Sequence, residues 1–172
     1  MKVVNTDYQG NASTSRFSYS LEVASGYLSF TGKVENSSFL QETARVTLQE
    51  NLWKEDAVEL FLSNPRGQYL EFHVASSGRW WFCFFLLFRK RGIADEPLVR
   101  VISETDLLSK TWVTTLSIPI SYIEDCLGEF ANITGNVTSC INGSYLSVAK
   151  LSGEKPDFHQ PTQFLPIMRL VS

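Results

Sequence analysis

Two facing runs set the terms for this chain: Trp53-Lys54-Glu55-Asp56-Ala57-Val58-Glu59-Leu60-Phe61-Leu62 and Tyr69-Leu70-Glu71-Phe72-His73-Val74. Val58, Leu60 and Leu62 share one parity while Glu59 and Phe61 share the other, and Leu70, Phe72 and Val74 oppose Tyr69, Glu71 and His73. Only a strand has a side-chain period of two, so each run predicts a strand with one apolar face. Ser63-Asn64-Pro65-Arg66-Gly67 between them is rich in turn formers and predicts a hairpin. Matching apolar residues across it puts Leu60 opposite Leu70 and Val58 opposite Phe72. Glu59 then stands directly opposite Glu71, with His73 one step along the same face.

Two carboxylates facing each other across a ladder repel unless something relieves them. A cation, an arginine such as Arg79 or Arg89, or a ligand rich in donors would do so; a wet face would simply screen them. Trp53 just ahead of the strand, at the lip of that face, adds an aromatic surface. Two readings of it stay open, a binding platform and an aromatic packed beneath a loop.

At 172 residues the chain is one ordinary domain, expected to bury roughly 70 % of its unfolded surface. A hydrophobic content of 44 % and only six prolines exclude disorder. With a net charge of −3 no basic stripe is available to displace counterions, so nucleic acid is not an expected partner. Arg89-Lys90-Arg91, the one basic cluster, reads as a solvated strand end or turn. The first residues lack a signal-like apolar core, and Trp80 to Phe88 is too short to span a bilayer as a helix, so no membrane partner and a cytoplasmic location are expected. Cys83, Cys126 and Cys140 match no zinc or redox spacing and read as reduced thiols. Sequons at Asn11, Asn36, Asn132, Asn136 and Asn142 point the other way, toward secretion, but without a leader they read as by-products of Ser/Thr-rich strands.

Along the chain, Arg16 to Val23 and Tyr27 to Val34 predict a hairpin turning at Ser25-Gly26, while residues 39 to 48 are left open between strand and helical turn. Trp80 to Phe88 is apolar at both parities, which asks for cover on both faces: a loop, a ligand groove, or a second subunit in a homodimer. Further strands are expected at 98 to 102, 112 to 118, 129 to 134, 136 to 141, 144 to 151 and 167 to 171. One helical turn, capped by Ser121 and released at Gly128, interrupts them. About ten strands and no βαβ spacing describe an all-β antiparallel sandwich, jelly-roll-like, as a single domain over 1–172.

Catalytic signatures are missing from the sequence: no phosphate loop, no nucleophile elbow, no His-Glu-x-x-His. Glu59 and Glu71 invite a glycosidase reading, but directly opposed strand residues would crowd their carboxyls rather than flank a bond. His73, His159 and Met168 are conceivable haem ligands, with Met168 reading as core. Trp80, Trp81 and Trp112 also read as core. No cofactor is expected; calcium on the acidic strip is left open, though no ligand spacing indicates it.

The run Trp53 to Phe61 resembles the Trp-x-x-Asp-x-Val-Glu-x-Phe signature of family 9 carbohydrate-binding modules, within the wider DOMON-like sandwich group. Phe158-His159-Gln160-Pro161-Thr162-Gln163-Phe164 looks like that family's closing motif, with Leu165 where the family has glycine, and Trp112 to Pro119 resembles its strand running into Ile-Pro. Tyr69 to Trp80, Phe88 to Gly92 and Lys155 to His159 are closer still to stand-alone bacterial DOMON-like proteins. The resemblance implies a non-catalytic module that holds a sugar ring between two aromatics. Trp53 matches the first and Phe158 falls where the family carries a second tryptophan. Glu59 matches the strand glutamate that bonds hydroxyls, Glu71 and His73 its polar neighbours, and Asn132 a later motif asparagine. The expected partner is therefore a small polyhydroxylated, carbohydrate-like ligand.

Overall fold

The computed structural model describes residues 1–40 and 47–171. Among them are two sheets packed face to face, as the period-two patterning requires. The strands are β1 (Lys2–Thr6), β2 (Ala12–Ala24), β3 (Tyr27–Val34), β4 (Thr47–Leu48), β5 (Ala57–Ser63), β6 (Tyr69–Ala75), β7 (Arg79–Leu87), β8 (Lys90–Arg91), β9 (Arg100–Asp106), β10 (Thr111–Pro119), β11 (Thr134–Ile141), β12 (Ser144–Ser147) and β13 (Leu165–Pro166). One sheet runs β1-β2-β3-β10-β9; the other runs β12-β11-β5-β6-β7-β4, with β13 on β11 and β8 on β7. Among the described residues every strand pairing is antiparallel except β4 with β7. No helix of the described residues is long and apolar enough to cross a membrane.

The β2–β3 hairpin turns at Ser25 and Gly26, both at positive φ (51° and 78°), the two-residue turn whose twist suits antiparallel strands. Inner-face side chains form rows across the second sheet: Val137, Leu60, Phe72 and Phe82 in one, Val58, Val74 and Trp80 in the next. They meet Leu21, Leu28, Phe30, Trp112, Leu116 and Ile118 of the first sheet in one core. Trp80 and Trp112 are buried there, as expected. The β7 residues from Trp80 to Phe85 are buried within the chain except the half-buried Phe82, while Leu86, Leu87 and Phe88 reach solvent.

Several sequence expectations give way to local geometry. The β5–β6 register is two residues off: Leu60 pairs with Phe72 and Val58 with Val74, so Glu59 faces His73 and not Glu71. The connection causes this. The Asn64 carboxamide accepts from Arg66 N–H at 3.0 Å and Gln68 N–H at 3.1 Å, closing a five-residue loop that holds Ser63 opposite Tyr69. A slip of two keeps parity, so every side chain stays on its expected face. Helix α1 (Ile120–Leu127) begins after Pro119 with no side-chain cap, and Ser121 lies inside its first turn rather than capping it. Gly128 ends it as expected, its N–H bonding Glu124 O.

Residues 130–132 form a 3-10 turn instead of strand, because Ile133 N–H returns to Phe130 O and seats Ile133 in the core. The segment at 167 to 171 is a helical turn, α2 (Ile167–Leu170), which buries Ile167 and Leu170 and turns Met168 outward, 68 % exposed rather than core. Its free carbonyls are satisfied by the Lys2 ammonium, which donates to Arg169, Leu170 and Val171 O at 2.9, 2.9 and 3.0 Å. Strand β12 stops at Ser147 because the Asn136 side chain intercepts Ala149 N–H. In the stretch from 39 to 48, residues 41–46 lie outside the described residues, and Thr47–Leu48 is strand.

The two sheets approach closely at Gly32 on β3. A Cβ there would meet Val58 Cβ at 2.8 Å and Val74 Cγ2 at 3.0 Å, and the branched side chains opposite it have no flexible end to withdraw. Gly32→Ala is therefore expected to cost about 1–3 kcal/mol of stability by overpacking. A lowered urea midpoint at unchanged slope would show it, and an unchanged midpoint would contradict this packing.

Candidate functional site

The outer face of the second sheet carries the polar residues of the organising hairpin. Register places them in rows: Thr138, Glu59, His73 and Trp81 in one, Asn136, Phe61, Glu71 and Cys83 in the next, Ser63, Tyr69 and Phe85 in the third. All seven residues of β5 and of β6 are buried, so this antiparallel sheet is dry on both faces. A second apolar cluster covers it, in which Leu52, Phe61, Tyr69, Trp81, Phe85 and Phe164 pack together with Phe158 against them.

Where that cover is incomplete a cleft of about 460 Å³ opens, within the size range of small-molecule sites. Glu59, Phe61 and Glu71 line its floor with Trp81 and Phe85; Trp53, Tyr145 and the loop Pro156 to His159 line its walls, and Arg89, Arg91 and Cys140 complete it. Four of the six residues singled out in the sequence, Trp53, Glu59, Glu71 and Phe158, line this one cleft. His73 lies directly beneath, 1 % exposed. Asn132 does not join them: it is exposed in its 3-10 turn and donates to Glu129 Oε2 at 3.0 Å.

His73 answers the carboxylate repulsion. Its Nε2 lies 2.7 Å from Glu71 Oε1 and 3.8 Å from Glu59 Oε1, while Thr138 Oγ1 donates to Glu59 Oε2 at 2.8 Å. Neither arginine considered for this role takes it. Arg79 is buried against Glu55 and bonds Ser76 O, and Arg89 pairs with Asp157 at 2.9 Å. Burial works against charging His73, but the Glu59 and Glu71 carboxylates outweigh it and hold its pKa above the ordinary value. Burial raises Glu59, with His73 opposing and Glu71 reinforcing the shift. Glu59, Glu71 and His73 each bring one ligand-type atom within 4.8 Å of the others, a grouping whose size could accept a metal ion.

The wall loop is fastened from below. Tyr69 Oη accepts from Arg89 N–H at 3.0 Å and shares a hydrogen bond with His159 Nδ1 at 2.8 Å. Burial pushes the Tyr69 phenol up to about 12. Phe61 and Phe85 stand edge-on to the His159 ring, at 5.6 and 5.3 Å between centroids. Gln160 ties the loop to Ser152 and to its own Asp157 O. Phe158 packs between Phe61 and Tyr145, at 6.5 and 6.2 Å. Trp53 is 54 % exposed on a 3-10 turn (Leu52–Lys54), with the Lys54 ammonium 5.2 Å from its ring.

Trp81 is buried in the second cluster, in line with its core reading, but it also lines the cleft, which sequence reasoning missed: its ring stands edge-to-face with that of His73 at 5.0 Å between centroids, and the Arg91 guanidinium lies 5.4 Å from its centroid. The doubled apolar parity of β7 was the signal for it, since a groove was one of the covers weighed. Arg89-Lys90-Arg91 reads as a solvated strand end or turn, and the structure has both: Arg89 sits at a turn, at φ 53°, and Lys90–Arg91 form the exposed strand β8. Tyr145 and Asp157 gave no signal. All three cysteines are free thiols; burial pushes Cys140 up to about 11, so the thiol in the cleft stays protonated at neutral pH.

In architecture the chain is similar to a "putative carbohydrate-binding protein" from Bacteroides uniformis ATCC 8492. The TM-score is 0.71 over 95 % of this chain and 84 % of that one, at 18 % sequence identity. At that identity the likeness is one of fold. No protein-family model matches the chain, and no curated protein matches it in sequence.

Burial keeps His159 below its ordinary value of 6.5, so the folded state favours the neutral ring. The unfolded chain takes up the proton first as pH falls, and the stability supplied by neutral His159 is present above 6.5 and lost below it. Measured against His159→Gln, the wild type is expected to lose melting temperature between about pH 7.5 and pH 5. A difference that stays constant across that range would contradict the assignment.

Proposed function

We propose that the protein is a non-catalytic binding module for a small polyhydroxylated ligand, a sugar or the end of a sugar chain. The observation that carries this reading is the meeting in one cleft of a half-exposed tryptophan, a second aromatic from a distant loop, and a floor of buried carboxylates. A sugar ring has a C–H face that loses apolar area on an aromatic surface, and hydroxyls at its edge that must donate and accept. Trp53 and Phe158 offer the aromatic surface. Glu59 and Glu71 offer acceptors, held in place by Thr138 and His73 respectively.

The fold's likeness to a protein named for carbohydrate binding supports the reading, as does the resemblance of Trp53 to Phe61 to the family 9 signature. Glycoside hydrolysis fits the arrangement less well. A retaining pair needs carboxyls about 5–5.5 Å apart on either side of a bond. Here the two stand side by side on one floor, and Glu71 is already engaged with His73.

Because Trp53 is largely outside the core, Trp53→Ala is expected to change stability by less than about 0.5 kcal/mol. It is expected to weaken sugar binding at least about tenfold, as loss of an aromatic anchor does. Isothermal titration with glucose, xylose and cellobiose, beside thermal melts, measures both. Binding that survives the substitution at full strength would place the ligand elsewhere.

A further inference from the structure

Among the described residues, the floor of the cleft has acceptors in excess and a carboxylate charge that no neighbouring cation balances. Thr138 satisfies Glu59 Oε2 and His73 satisfies Glu71 Oε1. Glu59 Oε1 has only the His73 nitrogen at 3.8 Å, beyond hydrogen-bond reach, and Glu71 Oε2 has no donor among the described residues. Both side chains are more than nine-tenths buried, at 4 % and 8 % exposure, and both line the cleft.

The other charges at the site are spoken for. The Arg89 guanidinium is held by Asp157 at 2.9 Å and that of Arg91 by Glu50 at 3.1 Å, both on the rim, where solvent screens them. Set at their formal charges, two carboxylates against one imidazolium leave the buried floor one negative charge in excess. A hydroxyl group brings a donor to such a place but no charge, whereas an ammonium group brings three donors and the missing positive charge. Burial, reinforced by the neighbouring Glu71, pushes Glu59 toward its neutral form in the free protein, and an ammonium group beside it would favour the charged carboxylate again.

Resting on the carbohydrate-binding reading, we propose that the ligand is an amino sugar, a ring with a free ammonium group directed at Glu59 and Glu71 while its C–H face lies on Trp53. A ring of this kind satisfies the apolar wall and the charged floor together. An acetylated amine keeps the ring and one N–H but loses the charge, so it separates the electrostatic requirement from shape.

Titration of the wild-type protein with glucosamine, N-acetylglucosamine and glucose, followed by calorimetry, tests this. Glucosamine is expected to bind at least about tenfold tighter than glucose, the ratio that one charge-assisted bond over a neutral one amounts to, with N-acetylglucosamine no better than glucose. In Glu59→Gln the ratio of glucosamine to glucose affinity is expected to collapse toward unity. Glucose binding with no preference for glucosamine would overturn the amino-sugar inference and leave the carbohydrate reading standing. Failure of all three sugars, with cellobiose and xylose also silent, would overturn both. Stoichiometric Zn²⁺ binding that depends on Glu59 and His73 would overturn it too, since an ion would then meet the floor's charge.

Discussion

Burying both faces of an antiparallel sheet leaves no water to satisfy the polar side chains on its second face, and this constraint shapes the molecule. Glu59, Glu71 and His73 sit under an apolar cover in a row structure that β5 and β6 impose, so each must find its partner inside the protein. The imidazole between two carboxylates is the solution reached. It is incomplete by design of the row: three ionisable groups cannot pair off evenly. The uneven remainder faces the cleft.

The cover itself is held by a different kind of contact. Loop residues 152–164 have no periodicity, and they are fixed by individual hydrogen bonds from Gln160 and Gln163 to Ser152, by the Tyr69–His159 contact and by the Arg89–Asp157 pair. Rigid strands thus supply the floor and a network of side-chain bonds supplies the wall. Such a wall yields before the floor does, because its bonds are partly exposed and exchange with water at small net cost, whereas opening the floor exposes apolar rows on both faces.

What was legible in the sequence follows from which interactions repeat. Alternation assigned the faces of β3, β5, β6 and β10 correctly, because every second residue reports the same environment. It placed Glu59, Glu71 and His73 on one face for the same reason. Register was not legible, since it turned on two hydrogen bonds to the Asn64 side chain, and strand parity is blind to a slip of two. The helical turn at Ile167–Leu170 escaped because so short a segment has no period to read. Trp81 looked like core because burial and cleft lining coincide in a ring that packs with one edge and presents the rest. Asn132, carried over from a motif rather than from any pattern in the chain, lies away from the cleft for want of a strand to aim it.

The hairpin loop of residues 64–68 reaches further than its position suggests. Since the ladder can slide by two without turning any side chain over, the length of that loop selects which β6 residue confronts Glu59. With the present loop it is a base, His73; one notch along the ladder, and with every floor residue unchanged, it would be an acid. Insertions and deletions at a solvent-facing bend are among the changes folded chains tolerate most readily. Under the proposed binding role, the preference of the cleft could therefore be retuned by adding or removing chain at a distance from it, leaving the residues that line it as they are.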